Sequence, residues 1–157
     1  RRITAEADRA LTPEDLRPTF VLDARLALSE VTFDLWQHLQ RLEPFGPGNP
    51  RPIFLFADVH VEGEPRVLKE RHLKLRIRQA GRSLDAVWWN GASLSLIHIS
   101  EPTRQWNGAS SFASRVAGAR FWLAASIGES FANGLLHIHL VIKDLSETPP
   151  GGHDAMA

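Results

Sequence analysis

A run of eleven residues, Leu42 to Pro52, divides the sequence into two parts of different character. It reads LEPFGPGNPRP, in which four prolines remove backbone donors and fix φ while two glycines supply a permissive backbone between them. Neither a helix nor a paired strand continues through such a segment. We therefore predict a shaped turn at residues 44–52, with Phe45 attaching it to a neighbouring core.

The residues before this turn predict a connector with one strand and one helix. Thr19 to Leu28 alternates between apolar and mixed positions, which is typical of a strand with one buried face. Thr32 is a typical helix cap, and leucines then recur every three to four residues, so we expect a helix over Phe33–Leu42. We assign residues 1–43 to this connector region.

After the turn, the apolar pattern predicts a small β domain over residues 53–147. Ile53–Val61 is apolar on both faces, with one predicted face formed by Ile53, Leu55, Ala57, Val59 and Val61. Further strands are predicted at His72–Gln79, Leu84–Asn90, Arg120–Ile127 and Leu135–Leu145, with a short helix at Ser111–Ala119. Five strands with a helix between the third and the fourth is the order of an OB-fold, a partly open Greek-key barrel. Residues 148–157 are predicted to be a disordered tail.

One face of the second strand is basic. Leu73, Leu75 and Ile77 point one way, and four side chains that we call the basic ladder point the other: His72, Lys74, Arg76 and Arg78. Between Arg66 and Arg82 there are seven Lys and Arg residues and one acid, Glu70, a local charge of 7 − 1 = +6, although the whole chain has no net charge. A hairpin turn is predicted at Gly81–Arg82.

The third strand contains two adjacent tryptophans, which must point to opposite faces if the strand is regular. We predict that Trp89 is exposed beside Asp85 and Val87 and that Trp88 packs in the core. Cations that hold backbone phosphates and a flat ring that accepts a stacked base together indicate single-stranded nucleic acid. The alternative is a solvated charged face with both tryptophans packed. The predicted binding residues are Arg66, Lys69, Arg71, His72, Lys74, Arg76, Arg78, Arg82 and Trp89.

The sequence also contains a direct repeat. Trp89–Ser93 recurs letter for letter as Trp106–Ser110, seventeen residues further on. Between the copies, Leu94–Gln105 reads LSLIHISEPTRQ, which resembles a translated sequencing adapter. Two explanations stay open: an artefactual insert at 94–110, or a genuine tandem duplication that carries a loop.

The string LEPFGPGNPRPIF and the later HLKLRIRQAGRSLDAVWWN resemble the C-terminal part of the RecJ family of bacterial exonucleases specific for single-stranded DNA. The resemblance covers most of Leu11–Leu145. It implies that residues 1–43 end a DHH-associated domain and that an OB-fold binding single-stranded DNA follows. It also implies a parent 5′→3′ exonuclease of DNA repair and recombination, which depends on Mn²⁺ or Mg²⁺ held in an N-terminal catalytic domain.

The sequence lacks the residues that such an exonuclease needs for catalysis. It has no Asp-His-His cluster and no acidic metal cage, and metal-dependent phosphodiester hydrolysis needs clustered ligands for the ions. His137 and His139 stand two apart without a third ligand at suitable spacing. We therefore expect no catalytic residue and no cofactor in this chain.

Composition bears on the setting and the partners. The absence of cysteine fits a reducing cytoplasm, and the longest apolar runs are too short to cross a membrane. The chain begins at Arg1 and its only methionine is Met156, so we expect a fragment of a longer product whose own N-terminal catalytic domain is a partner. Two other functions stay open: an OB-fold brace or protein-docking domain, and a carbohydrate or RNA binder.

Overall fold

The computed structural model of the chain describes residues 21–69, 71–91, 118–147 and 149. The predictions for residues 1–20, for the segment 94–110 and for nearly all of the helix at 111–119 and of the tail at 148–157 lie outside the described residues. Among the residues that are described, no helix has the length and apolar character needed to cross a membrane.

Short connector elements precede a series of longer strands. The connector contains β1 (Ala24–Arg25), a 3₁₀ turn (Leu28–Glu30) and α1 (Phe33–Gln40). The strands that follow are β2 (Phe54–Val61), β3 (Arg66–Leu68), β4 (His72–Gln79), β5 (Arg82–Trp88), β6 (Phe121–Ala132) and β7 (Leu135–Ser146).

Five of these strands close into a barrel. β2 pairs with β4, β4 pairs with β5, and both of these pairings are antiparallel. β5 then pairs in parallel with β7. β7 pairs antiparallel with β6, and β6 pairs antiparallel with β2, which closes the barrel. This pairing is that of a five-stranded Greek-key barrel, so the predicted OB-fold is confirmed. β1 joins β2 in parallel and β3 joins β4, each as a short addition at an edge.

The connector packs on the barrel instead of standing apart from it. Leu28 and Val31 are buried in the same cluster as the inner residues of the barrel, and Leu35, Trp36 and Leu39 of α1 pack against that cluster. The Thr32 hydroxyl accepts a hydrogen bond from the Leu35 amide at 3.2 Å, as expected for a helix cap. α1 ends at Gln40, two residues before the predicted Leu42, since the proline-rich turn follows at once.

One side chain joins the connector, β2 and β4. The Gln79 side-chain oxygen accepts a hydrogen bond from the Leu28 amide at 2.7 Å, and its nitrogen donates to the Ala57 carbonyl at 2.6 Å. Between Asp23 and Leu26, the connector also bonds along its backbone to Ile53 and to the first residues of β2. Of the predicted strand Thr19–Leu28, the described part contains only Ala24–Arg25, because Leu28 has entered the 3₁₀ turn.

A β-bulge corrects the predicted faces of β2. Its register against β6 shifts between Phe56 and Val59, and Asp58 has a φ of 59°. The inserted residue reverses the alternation, so the core contains Phe54, Phe56, Val59 and Val61. The prediction that Ile53 and Leu55 share a face with Val59 and Val61 is therefore wrong, because counting in twos cannot register an extra residue.

The hairpin between β4 and β5 turns one residue earlier than predicted. Ala80 and Gly81 form the turn, with φ values of 46° and 84°. Two consecutive positive φ values fit a type I′ turn. Alanine rarely adopts this conformation, so the sequence carried no signal for it. β5 therefore covers Arg82–Trp88 instead of Leu84–Asn90, and Trp89 lies in the turn that follows.

The hairpin between β6 and β7 has the turn that its sequence predicts. Asn133 and Gly134 have φ values of 53° and 74°, as a type I′ turn requires. Pairing continues up to Ala132 and Leu135, so β6 extends five residues beyond the predicted end at Ile127.

The turn at 44–52 is held by its own hydrogen bonds. Gly46 and Asn49 exchange two backbone hydrogen bonds of 2.9 and 3.0 Å, and the Asn49 side chain donates to the carbonyls of Leu42 and Pro44. The predicted shaped turn is confirmed. The centroid of the Phe45 ring, however, lies 4.7 Å from the Arg51 guanidinium, and Phe45 is outside the core cluster of the described residues, so its predicted attachment to a core is not found among them.

Candidate nucleic-acid interface

Burial alternates along β4 as the sequence predicts. Leu73, Leu75 and Ile77 are at most 2% exposed and face the barrel interior. The side chains of Lys74, Arg76 and Arg78 are 45%, 57% and 46% exposed. The basic ladder therefore lies on the outer face of the barrel.

The register of the β4–β5 hairpin decides which residues accompany the ladder. Arg76 stands opposite Asp85, Lys74 opposite Val87 and Arg78 opposite Ser83. Residues directly opposite each other on antiparallel strands share a face of the sheet. The ladder thus has an acid and a hydroxyl beside it on the next strand.

Two carboxylates engage the three permanently charged side chains of the ladder. Asp85 lies 2.8 Å from the Lys74 ammonium and 3.4 Å from the Arg76 guanidinium. Glu62, which directly follows β2, lies 3.2 Å from Arg76 and 2.9 Å from Arg78. With three cations and two acids, this part of the face has a formal charge of 3 − 2 = +1.

Hydrogen bonds hold Glu62 in place. The Ser83 hydroxyl donates to its carboxylate at 2.8 Å, and the Glu62 amide donates to the Arg76 carbonyl at 2.7 Å. The bond from Ser83, together with those from Arg78 and Arg76, lowers the pKa of Glu62, although partial burial acts in the other direction. Glu62 is therefore an ionised partner of the ladder at neutral pH.

Trp89 stands at the end of the ladder. Its ring meets the His72 ring edge to face, with centroids 4.8 Å apart at an interplanar angle of 76°. The Asn90 amide donates to Nδ1 of His72 at 3.0 Å, which ties the turn to the strand. Trp89 is 53% exposed, whereas Trp88 is partly buried against the core, in keeping with the predicted division between the two.

The remaining predicted cations fall into two groups. Arg66 pairs with Lys74 on the neighbouring strand and shares the ladder's face, and Lys69 and Arg71 follow it in the exposed turn before β4. We call these three the edge cations; within the described part of the chain, none of them forms an ion pair. Arg82 pairs with Gln79 and falls on the same face of the hairpin as Leu84 and Ala86, opposite to the face of the ladder. It is therefore not brought together with the ladder.

A cleft of about 330 Å³ lies where the connection between β2 and β3 crosses the face. Charged side chains of both signs line it, and its lining residues are Glu62, Gly63, Glu64, Arg66, Lys74, Leu75, Arg76 and Asp85. Arg66, one of the edge cations, and Lys74 and Arg76 of the ladder thus line the same cleft.

The two histidines of β7 extend this face without forming a metal site. Val141 pairs with Val87, so His139 and His137, two and four residues earlier, continue the outer face of β5. Among the described residues, no three His, Cys, Asp or Glu side chains are grouped as a metal ion requires. The family resemblance assigns Mn²⁺ or Mg²⁺ to an N-terminal catalytic domain and not to these residues, so we derive no step through a metal here.

The sequence placed Asp85 on the face of the exposed Trp89, but it predicted neither Glu62 on that face nor the ion pairs of the two acids with the ladder. Glu62 lies outside the window Arg66–Arg82 used to count charge, and so does Asp85. A two-residue turn at Ala80–Gly81 would have placed Asp85 opposite Arg76, but the alanine concealed that turn. No signal in the sequence places Glu62 beside Arg78.

A family model and a curated relative point to the same family. The sequence profile of the RecJ OB domain matches residues 22–144. The single-stranded-DNA-specific exonuclease RecJ of Bacillus subtilis (strain 168) is 30% identical over 94 residues, which make up 59% of this chain and 12% of that protein.

The fold is similar to solved structures as well. Crystal structures of RecJ from Thermus thermophilus in complex with Mn²⁺ and with Mg²⁺ match 94% of this chain at 24% identity, with TM-scores of 0.57 and 0.54. The match covers 18% and 19% of those chains. This chain thus spans less than a fifth of the length of each of these relatives.

Proposed function

This chain belongs to the RecJ OB domain family, and on that premise we propose that it binds single-stranded DNA as the OB domain of a RecJ-like 5′→3′ exonuclease. The resemblance to that family, which the sequence indicated, is confirmed. In this proposal the parent enzyme acts in DNA repair and recombination in the bacterial cytoplasm, with Mn²⁺ or Mg²⁺ in its catalytic domain. The OB domain holds the strand and raises the affinity of the whole.

The observation that carries the proposal is the position of the ladder and of Trp89. OB-folds bind oligonucleotides on the face of their second and third strands, here β4 and β5. β4 supplies cations for phosphates, and the half-exposed ring of Trp89 at the end of the row accepts a stacked base. Since stacking tolerates any base, binding is expected to be indifferent to sequence and to weaken with salt.

Fluorescence anisotropy with a labelled oligonucleotide tests the proposal. We expect single-stranded DNA to bind at low salt and more tightly than a duplex of equal length, because a duplex keeps its bases stacked away from Trp89. Charge reversal at Lys74, Arg76 and Arg78 should abolish that binding. No binding at low salt, or equal binding by the reversed variants, would contradict the proposal. RNA of the same length tests the choice of nucleic acid.

One observation favours a second candidate, in which the domain is a brace or a docking site for protein. The ladder is already paired with Glu62 and Asp85, as expected of a charged face that only meets solvent. In that case the charge-reversed variants would change neither nucleic-acid binding nor its salt dependence. The anisotropy measurement therefore decides between the two candidates.

A further inference from the structure

Two carboxylates bind the cations of the basic ladder to which the proposed function assigns phosphates. Both oxygens of Glu62 accept hydrogen bonds from arginines, one from Arg78 at 2.9 Å and the other from Arg76 at 3.2 Å. Asp85 meets Lys74 at 2.8 Å. A phosphate oxygen binds the same guanidinium and ammonium groups with the same geometry as a carboxylate oxygen. A bound strand and these two acids therefore compete for the same donors.

We propose that Glu62 and Asp85 are intramolecular competitors of phosphate, which hold the affinity of the basic ladder for single-stranded DNA below that of the cations alone. The inference rests on the proposed function and adds a determinant of how tightly that face binds.

The placement of both acids is built into the fold. Glu62 follows a buried strand, and Ser83 and the Arg76 carbonyl fix its carboxylate and its backbone. Asp85 is set opposite Arg76 by the hairpin register. Both lie on the cleft that Arg66 also lines. This placement keeps both carboxylates beside the cations of the ladder when no strand is bound.

The ion pairs of the ladder with Glu62 and Asp85 are weak enough for a phosphate to replace a carboxylate. All five side chains are between 34% and 57% exposed, and ion pairs at this exposure contribute little to stability. A strand is therefore able to displace the acids, with the edge cations as the first contacts for its phosphates.

Neutralising each acid tests the inference, with binding measured by anisotropy of a labelled thymidine oligonucleotide on the full chain at about 50 and 200 mM salt. For Glu62→Gln and Asp85→Asn we expect about fivefold tighter binding at the lower salt. The plot of log affinity against log salt should steepen by about 0.7 for each additional phosphate that the freed cations bind. A residue that only positions the arginines would not steepen this slope.

Asp58→Asn is the matched control. Asp58 has an exposed ion pair with Arg120 and lies off the ladder, and asparagine tolerates its positive φ. This variant changes the net charge equally, so it should alter affinity less than twofold if the effect depends on position.

The outcomes separate this inference from the proposed function. If the wild type binds the oligonucleotide, and both Glu62→Gln and Asp85→Asn bind it with equal or lower affinity than the wild type, the inference alone is overturned. Absence of binding by the wild type and by every variant at low salt would overturn the proposed function together with it. If circular dichroism shows that Glu62→Gln does not fold, Asp85→Asn provides the same comparison.

Discussion

The Trp89 ring stands edge-on to the His72 ring, with their centroids 4.8 Å apart. His72 is the first residue of β4 and Trp89 follows the last residue of β5, so the contact lies where the hairpin opens. It supports the indole while about half of its surface stays exposed. A supported, exposed ring is the arrangement that stacking on a base requires.

Replacing the two tryptophans should therefore separate binding from stability. Trp89→Ala should weaken binding of single-stranded DNA by roughly 1–3 kcal/mol, the usual contribution of one stacked base, and change unfolding little. Trp88→Ala should instead destabilise the fold by about 2–4 kcal/mol, because Trp88 packs against the core. Anisotropy and urea unfolding of both variants check this. Equal loss of binding in both would count against Trp89 as the stacking residue.

Arg66 and Arg82 form a matched pair for the location of the binding face. Arg66 lies beside Lys74 on the ladder's face, whereas Arg82 follows the inward alternation at the hairpin end. Arg66→Ala should lower the salt slope of binding by about 0.7, the value for one phosphate contact on a single strand. Arg82→Ala should leave it unchanged. A reversed order would place the strand elsewhere on the barrel.

Gly128 lies in β6 and is closely packed against β7. A Cβ at this position would meet a Val141 methyl carbon at 2.8 Å and Nε2 of His139 at 3.2 Å. Gly128→Ala should therefore destabilise the fold by about 1–3 kcal/mol, as overpacking commonly does. Gly46→Ala is the control, since no atom lies within 4 Å of its added carbon. Urea unfolding compares the two, and equal stability would contradict the packing seen here.

His139 should make the stability of the domain depend on pH. Burial lowers the pKa of its imidazole, more than the backbone of His137 and the carboxylate of Asp85 raise it. The folded state therefore takes up its proton at lower pH than the unfolded chain, where the pKa is about 6.5. The contribution to stability is complete above that value and is lost as the pH falls through the folded pKa.

Urea unfolding between pH 7.5 and pH 5 measures this loss, with a slope of at most about 1.4 kcal/mol per pH unit from one proton. His139→Gln should remove this part of the pH dependence. Gly46→Ala changes no titratable group and should leave the pH dependence in place. An unchanged profile in His139→Gln would assign the effect to another group.

The sequence predicted the barrel because the strands have clear periodicity and the β6–β7 turn has its Asn-Gly signal. The prediction from the sequence was wrong where the backbone departs from regular strand alternation. Asp58 inserts a residue into β2, and Ala80 turns the chain in a conformation that alanine rarely adopts. Each departure moved residues between faces or shifted a boundary.

For the candidate site, the alternation along β4 was sufficient to place the ladder and to expose it. Its electrostatics were not accessible in this way. Charge was counted along the chain, whereas Glu62 and Asp85 reach the ladder across strands. Pairing between strands depends on the register, and the register depended on the turn that alanine concealed.

The side chain of Gln79 attaches the connector to the strand that carries the ladder. This residue ends the strand that carries the ladder, and its amide bonds the connector on one side and β2 on the other. Together with the parallel pairing of β1 with β2, it fixes the connector rigidly to the barrel. The strand that carries the cations and the connector are therefore held in one fixed relative orientation.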